Sequence, residues 1–279
     1  MVATPIGNRD DLSPRARQVL TSVDLIAAED TRHTGRLLSH FGVKTAQIAL
    51  HDHNEAKVIG KLLERLKSGS NVALVSDAGT PLVSDPGYRL VQAAHALDIS
   101  VSPIPGPCAV ISAISVAGLP SDRFCYEGFL PAKREARRTV LQQLCREERS
   151  IVILESVHRI DDALADLSEI FGPEREAFIG RELTKLHEQC IAGSLRDLRN
   201  LLHEGDIPRK GEFVLVIRGA TEANTADPKI SVRELLVELM RNLPAKQAVD
   251  IVVRVANQRR NDVYRLMLEL QRQNEGPSG

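Results

Sequence analysis

Residues 71–81 read Asn71-Val72-Ala73-Leu74-Val75-Ser76-Asp77-Ala78-Gly79-Thr80-Pro81. A short apolar run stops abruptly at a carboxylate, two hydroxyls and a Gly-Thr-Pro turn. Such a run, bounded by turn formers, fits a strand buried on both faces, as in a parallel sheet. The same order recurs at Thr4-Pro5-Ile6-Gly7-Asn8 after an apolar start, and at Pro105-Gly106-Pro107-Cys108-Ala109 after residues 100–103. Strands are expected at 1–5, 25–29, 47–50, 71–76 and 100–103, with amphipathic segments between them. That alternation predicts an α/β fold with a mostly parallel sheet and flanking helices.

Helix signals fill the gaps. Ser13 followed by Pro14 is an N-cap with proline at the first helical position, and Asp85-Pro86 repeats the arrangement. Residues 55–66 put Val58, Ile59, Leu62, Leu63 and Leu66 on one helical face. A boundary falls at Gly118-Leu119-Pro120-Ser121-Asp122. Beyond it, strands are expected at 124–129, 150–154, 175–180, 188–192 and 212–217, and helices at 134–146, 159–171 and 194–203. The neighbouring strands either side of Thr184 suggest a mixed or antiparallel second sheet. Residues 220–227 read as a polar linker, and 231–242 and 245–271 as helices, with breaks at Pro244 and near 258–261. Residues 274–279 are expected to be disordered. The organisation is thus an N-terminal α/β domain over 1–118, a mixed α/β domain over 119–220, and a linker with helical extension over 221–279.

Composition narrows the function classes. The chain has 279 residues, 43% of them hydrophobic, enough for two cores. No run approaches a membrane span and the N-terminus carries no targeting pattern, so a cytoplasmic location without membrane attachment is expected. Cys108, Cys125, Cys145 and Cys190 are scattered without a C-x-x-C pair, which favours reduced thiols. Basic residues number 36 against 37 acidic, so bulk charge does not hold the protein to nucleic acid. Aromatics are 3% and Trp is absent, which leaves little material for an extended base-stacking sheet. An RNA partner would have to be held by local basic patches and by shape.

Each of the three loops follows an expected strand, and ligands of open α/β sheets bind outside the carboxyl ends of strands. Any one loop alone reads first as an ordinary βα turn; three together predict one cleft, with close backbone approach at Gly7, Gly79 and Gly106. No G-x-G-x-x-G, G-x-x-x-x-G-K-[ST] or G-x-S-x-G pattern is present. Cys108 stands at a helix start, yet no histidine accompanies it in a nucleophile pattern. His51-x-His53 lacks a third ligand, so no metal is expected. Ser156-x-His158 is explained more simply by a helix cap at Ser156.

The runs Thr4-Pro5-Ile6-Gly7-Asn8, Ala27-Ala28-Glu29-Asp30-Thr31-Arg32-His33-Thr34 and His51-Asp52-His53-Asn54 resemble the tetrapyrrole methylase superfamily. Together with residues 76–81, Asp85-Pro86-Gly87, residues 105–109, Ser121-Asp122-Arg123-Phe124 and Gly128-Phe129-Leu130-Pro131, the chain is similar to the members that methylate small-subunit ribosomal RNA. The likeness runs from Met1 to about Leu270. It implies S-adenosylmethionine (AdoMet) as methyl donor, a cytidine 2′-oxygen in the decoding region of 16S rRNA or of the assembled small subunit as acceptor, and a homodimer. It also implies cofactor contacts at Pro5, Gly7, Asp77, Ala78, Gly79, Thr80, Pro81, Pro105, Gly106, Pro107, Cys108 and Ala109. Similar proteins carry several more residues before the first loop, so the strand supporting it is expected to be short here.

Transfer from a sulfonium to a hydroxyl needs alignment, which can lower a barrier by roughly 7–11 kcal/mol, and gains from a proton acceptor, by roughly 10²–10⁴-fold. Asp30, Asp77, Glu155, Glu182 and Lys185 are within the expected neighbourhood, and position favours Glu155 or Glu182 as base or orienting group. Arg32, Arg159 and Arg181 are candidates for holding RNA phosphate. Glu29-Asp30-Thr31 reads equally as a helix cap with Arg32 as surface partner, and Arg181 with Glu182 as a structural pair. Basic residues recur at Lys133, Arg134, Arg137, Arg138, Arg146 and Arg149, and at Arg254, Arg259, Arg260 and Arg265, the latter in a helix–turn–helix-like outline. From this set Arg134, Arg137, Arg138, Arg259 and Arg260 are carried forward as RNA contacts, although such runs are commonly solvated helix faces. The alternatives are a tetrapyrrole methyltransferase of the same fold and a non-catalytic RNA-binding module.

Overall fold

The computed structural model describes residues 1–51, 53–221, 232–256 and 259–274. The chain forms two compact units, Met1–Gly219 and Ala220–Gly279.

The first unit starts with a parallel three-stranded sheet ordered β2-β1-β3, built from β1 (Leu25–Ala28), β2 (Gln47–Ala49) and β3 (Val72–Val75). Its two faces are distinguished by residue parity. Ile26, Ala28, Ala73 and Val75 pack with Leu12, Leu20 and Leu38, from or beside α1 (Pro14–Ser22) and α2 (Thr31–His40). Leu25, Ala27 and Leu74 pack with Leu62 and Leu90, from α3 (Glu55–Lys67) and α4 (Tyr88–His95). Burial on both faces is why these strands read as continuous apolar runs. Ser13 caps α1 as its sequence predicts, accepting from the Ala16 N–H at 3.0 Å.

Two expectations fail here. Residues 1–5 and 100–103 are not full strands. Val2 makes a single parallel bridge to Ile104 and Thr4 an antiparallel one to Gly79, while the Val2 N–H reaches the Leu74 carbonyl at 2.9 Å. Pro5, Pro103 and Pro105 lack the N–H donors a ladder needs. Nor do Asp85 and Pro86 open α4. The helix starts at Tyr88 behind Gly87 at φ +117°, and the Asp85 carboxyl is left outside it.

The second sheet is ordered β4-β5-β8-β6-β7, with β4 (Phe124–Phe129), β5 (Ser150–Ser156), β6 (Glu176–Arg181), β7 (Gln189–Ser194) and β8 (Glu212–Ile217). Only β4 and β5 run parallel, so the sheet is mixed. One face, with Ile151, Ile153, Ile179 and Leu215, is covered by α6 (Arg134–Leu144), α7 (Ile160–Phe171) and α8 (Leu195–Glu204). The other, with Val152, Phe178, Val214 and Val216, packs on Ile6 and on Val110 and Ala113 of α5 (Ala109–Val116). That contact makes the two sheets one unit and sets their strand ends around a common space.

The second unit contains α9 (Val232–Asn242), α10 (Ala245–Val255) and α11 (Arg260–Asn274) around Leu236, Val249, Val252, Val263 and Met267. The linker over 222–227, the helix start at 231, part of the break near 258 and the tail over 275–279 lie outside the described residues. No described helix is long and apolar enough to cross a membrane.

Candidate functional site

The three loops are bonded to one another. Thr4 and Gly79 exchange N–H···O bonds of 2.9 and 3.0 Å, and the Thr80 hydroxyl donates to the Pro107 carbonyl at 3.1 Å. Strand-end carboxylates add a second clasp. Glu29 accepts from the Asp77 N–H at 3.2 Å, and Asp77 accepts from the Asp30 N–H at 3.0 Å. The loops therefore form a fixed rim rather than independent turns.

Beneath that rim lies a cavity of about 400 Å³, bounded by Ile6, Asp77–Thr80, Asp85 and Cys108–Val110 on one side and by Tyr126, Phe129, Leu154 and Phe213 on the other. Its size falls in the roughly 300–1,000 Å³ range of small-molecule sites. Apolar walls dominate, but Glu29, Asp77, Asp85, Glu155 and Glu212 also line the space. Burial, reinforced by the charges of Glu29 and Asp77, raises the Asp85 carboxyl to about 6, against a weaker opposing bond with Ser76. Leu82 and Ser84 hold φ of +75° and +69°, left-handed values unusual for such residues, and the Ser84 hydroxyl bonds the Tyr126 hydroxyl at 2.6 Å. The space suits a ligand that is apolar in part and positively charged in part.

Of the cofactor residues expected from sequence, Asp77, Ala78, Gly79, Thr80, Cys108 and Ala109 line this cavity. Pro81, Pro105, Gly106 and Pro107 line an adjoining concavity of about 590 Å³ that shares Thr80 and Cys108. Pro5 and Gly7 line neither. Glycine is required at position 7 because a Cβ would collide with Thr184 and Lys185, and Asn8 donates to the Thr184 hydroxyl at 3.1 Å. At position 106 a Cβ would sit 3.0 Å from that of Ala3. Both positions are crowded by protein, and Gly106 also lines the adjoining concavity, whereas Gly79 at φ +81° lines the cavity itself.

The two candidate glutamates are apart in role. Glu155 lines the cavity at the end of β5, although it shares the parity of Ile151 and Ile153 and so leans to the helix-covered side, opposite Leu154. Burial pushes its carboxyl up, against the Ser156 N–H and Arg159, which both bond Oε1; Oε2 is buried with no partner among the described residues. Glu182 is held lower. Burial raises it, but Lys185 Nζ at 2.9 Å and the Glu212 N–H at 3.0 Å outweigh that. Glu182 serves the turn that presses on Gly7.

The arginines separate equally clearly. Arg137 is 2% exposed and bonds buried Asp166 at 2.8 Å, while Arg138 is spent on Asp166 and Glu169. Arg181 is buried, donating to the Lys210 and His187 carbonyls and to Gln189. A phosphate reaches neither Arg137 nor Arg181, and this corrects the expectation that they touch RNA. The helix period carried Arg137 inward with the apolar face of α6, which charge counting ignores. Arg134 remains at the surface despite its bond to Asp166. Arg32, 86% exposed, folds back on Asp30, which caps α2 and is thereby held well below the usual carboxylate range. Ser156 caps no helix; it ends β5, and its hydroxyl accepts from Arg159 Nε at 3.2 Å. In the second unit Arg259 is exposed, and Arg260 pairs with Asp250 at 2.7 Å.

Sequence reading missed Asp85, Tyr126 and Phe129 as site residues. Asp85 was read as a cap, and an isolated aromatic gives no signal until a strand's facing is known.

Comparison with known proteins bears on the cavity. The family described as Tetrapyrrole (Corrin/Porphyrin) Methylases matches residues 1–199, and the RsmI C-terminal HTH domain matches residues 225–271. A Pasteurella multocida protein named Ribosomal RNA small subunit methyltransferase I is 46% identical over 96% of this chain and 96% of its own. Its Escherichia coli O157:H7 namesake is 47% identical over 97% of this chain and 94% of its own. Among solved structures, diphthine synthase aligns with a TM-score of 0.58 at 14% identity, over 80% of this chain and 90% of that one. A Thermus thermophilus uroporphyrin-III C-methyltransferase complexed with S-adenosyl homocysteine aligns with a TM-score of 0.52 at 14% identity, over 78% and 95%. These two share the fold.

Proposed function

The chain belongs to the tetrapyrrole methylase family and, within it, to the ribosomal RNA small subunit methyltransferase I group, and from that premise we propose that it uses AdoMet to methylate the 2′-oxygen of a cytidine in the decoding region of 16S rRNA. The observation that carries the reading is the acid-lined cavity under the interlocked loops. AdoMet is cationic at sulfur and at its amino group, and Glu29, Asp77 and Asp85 complement that charge while the apolar wall suits its ring and chain. When bound, the cofactor supplies a methyl group on a positively charged leaving group.

The protein's own part is to align and to take a proton. Asp85 is the carboxyl best suited to accept the ribose hydroxyl proton, since a value of about 6 makes it a stronger base than an ordinary aspartate yet ionised at neutral pH. Glu155 is assigned an orienting role through Arg159, and Glu182 a supporting one through Lys185. Arg32 and Arg134, and Arg259 with Arg260 in the second unit, are proposed to meet RNA phosphate. A ribosomal substrate implies a cytoplasmic site. A homodimer, proposed with it, would cover half-exposed Ile111 and Val116 of α5; sedimentation at a monomer mass over micromolar concentrations rules it out.

The direct test offers radiolabelled AdoMet with small subunits, free 16S rRNA and uroporphyrinogen. Label in RNA, protecting one linkage from alkaline cleavage, is expected; label in uroporphyrinogen alone overturns the reading. The tetrapyrrole alternative is disfavoured because a polycarboxylate would enter a cavity already lined by five carboxylate residues. A chain ending at Gly219 is expected to bind S-adenosylhomocysteine as the full chain does and to lose affinity for rRNA. Parallel loss of both would make the second unit structural.

A further inference from the structure

We propose that Phe129 and Arg159 form a preset platform on which the base of the target nucleotide stacks; this rests on the rRNA reading above. Phe129 is 54% exposed at the end of β4, on the wall of the cavity, in a protein with few aromatic residues. An exposed ring there is not an accident of strand alternation. In β4, Cys125 pairs with Ile151 and packs on the helix-covered face, so plain alternation would bury Phe129 on that same face. The register slips between Tyr126 and Gly128, with Gly128 at φ +65°. This bulge shifts the parity by one, pairing Phe129 with Leu154 and turning its ring to the cavity side, where Tyr126 also lies.

Arg159 completes the platform. Its guanidinium carbon lies 5.9 Å from the Phe129 ring centroid. Its plane is set from three sides: Nε on the Ser156 hydroxyl at 3.2 Å, Nη1 on the Leu130 carbonyl at 3.0 Å and Nη2 on Glu155 at 2.8 Å. With three of five N–H donors spent on the protein, this arginine is poorly placed to follow a phosphate, as sequence reading had it do, and well placed to present a flat cationic face. The buried Glu155 carboxylate then has a purpose at the rim of the cavity: it is a positioning residue for Arg159.

A flat ring beside a fixed guanidinium fits an unpaired nucleobase. A base drawn out of its stack as its sugar enters the cavity loses its neighbours, and an aromatic face recovers part of that cost. Stacking on one aromatic is worth about 1–3 kcal/mol, or about 5- to 150-fold in binding.

The test compares Phe129→Leu and Phe129→Tyr full-length enzymes. It measures KM and kcat for unmethylated small subunits, affinity for S-adenosylhomocysteine, and affinity for an unstructured cytidine-containing oligonucleotide. Phe129→Leu should raise the RNA KM about tenfold, weaken the oligonucleotide comparably, and leave cofactor affinity within about twofold; Phe129→Tyr should restore both RNA terms. An unchanged RNA KM overturns the platform. So does a loss of S-adenosylhomocysteine affinity parallel to the loss for RNA, which would give the ring to the cofactor. If the wild type labels no rRNA, the rRNA reading fails instead, and equal oligonucleotide binding by wild type and Phe129→Leu still decides against the platform.

Discussion

Replacing Asp85 with Asn is expected to slow methylation by about 10²-fold or more, the scale of a lost proton acceptor, while the chain folds and binds S-adenosylhomocysteine. Asp85 owes its value of about 6 first to burial and then to the neighbouring Glu29 and Asp77. Wild-type kcat/KM should therefore fall as pH drops through about 6, where the carboxyl becomes protonated, and that limb should vanish in the variant. With cationic cofactor bound, the limb in kcat should lie lower, because a positive charge favours the carboxylate.

Stability supplies the control. A carboxyl raised by folding contributes stability that is full below its unfolded value of about 4 and is lost as pH rises through about 6. Asp85→Asn should thus melt at or above the wild-type temperature at pH 7.5, with the difference gone near pH 4. An inactive but more stable variant follows from a charge kept for function at a cost to folding. Wild-type turnover in Asp85→Asn, with Glu155→Gln inactive, would return the proton to Glu155.

Asp166→Ala should destabilise the first unit by about 3–5 kcal/mol, because it leaves Arg137 charged and unpaired inside. For a unit of this size that corresponds to roughly 6–20 °C in Tm. Burial alone would raise Asp166, but bonds from Arg137, Arg134 and Arg138 prevail and hold it below the ordinary value. The contribution is therefore present above pH ~4 and is lost as pH falls. Arg134→Ala at the exposed edge of the same cluster should cost no more than about 1 kcal/mol. Melting within a few degrees of wild type for Asp166→Ala, with weakened RNA binding in Arg137→Ala, would put Arg137 back on the RNA.

Much of the scaffold was legible because it depends on local pattern. The apolar runs at 25–28 and 72–75, the Ser13-Pro14 cap and the apolar stripe of α3 each needed only neighbours within a turn or a strand. The failures share a different cause. Asp85-Pro86 satisfies the local rule for a helix start, yet Gly87 at φ +117° delays the helix and frees the carboxyl. Gly7 and Gly106 were expected to let the backbone approach a ligand closely, but what stands against them, Thr184 with Lys185 and Ala3, is protein that comes close only in the folded chain.

Sequence by itself determined the fold class, the three-loop rim and the family, since periodicity, turn chemistry and motif order are properties of contiguous residues. Tertiary structure alone decided which charges stay open to a ligand and which are committed inside the protein. Arg137 and Arg181 count the same as Arg32 or Arg134 in a charge tally, but burial commits them to partners inside the protein. Asp85 and Phe129 acquire their proposed roles from long-range facts, a sheet-to-sheet cavity and a one-residue bulge. Desolvation and facing depend on what is packed opposite, and no stretch of sequence contains its own opposite face.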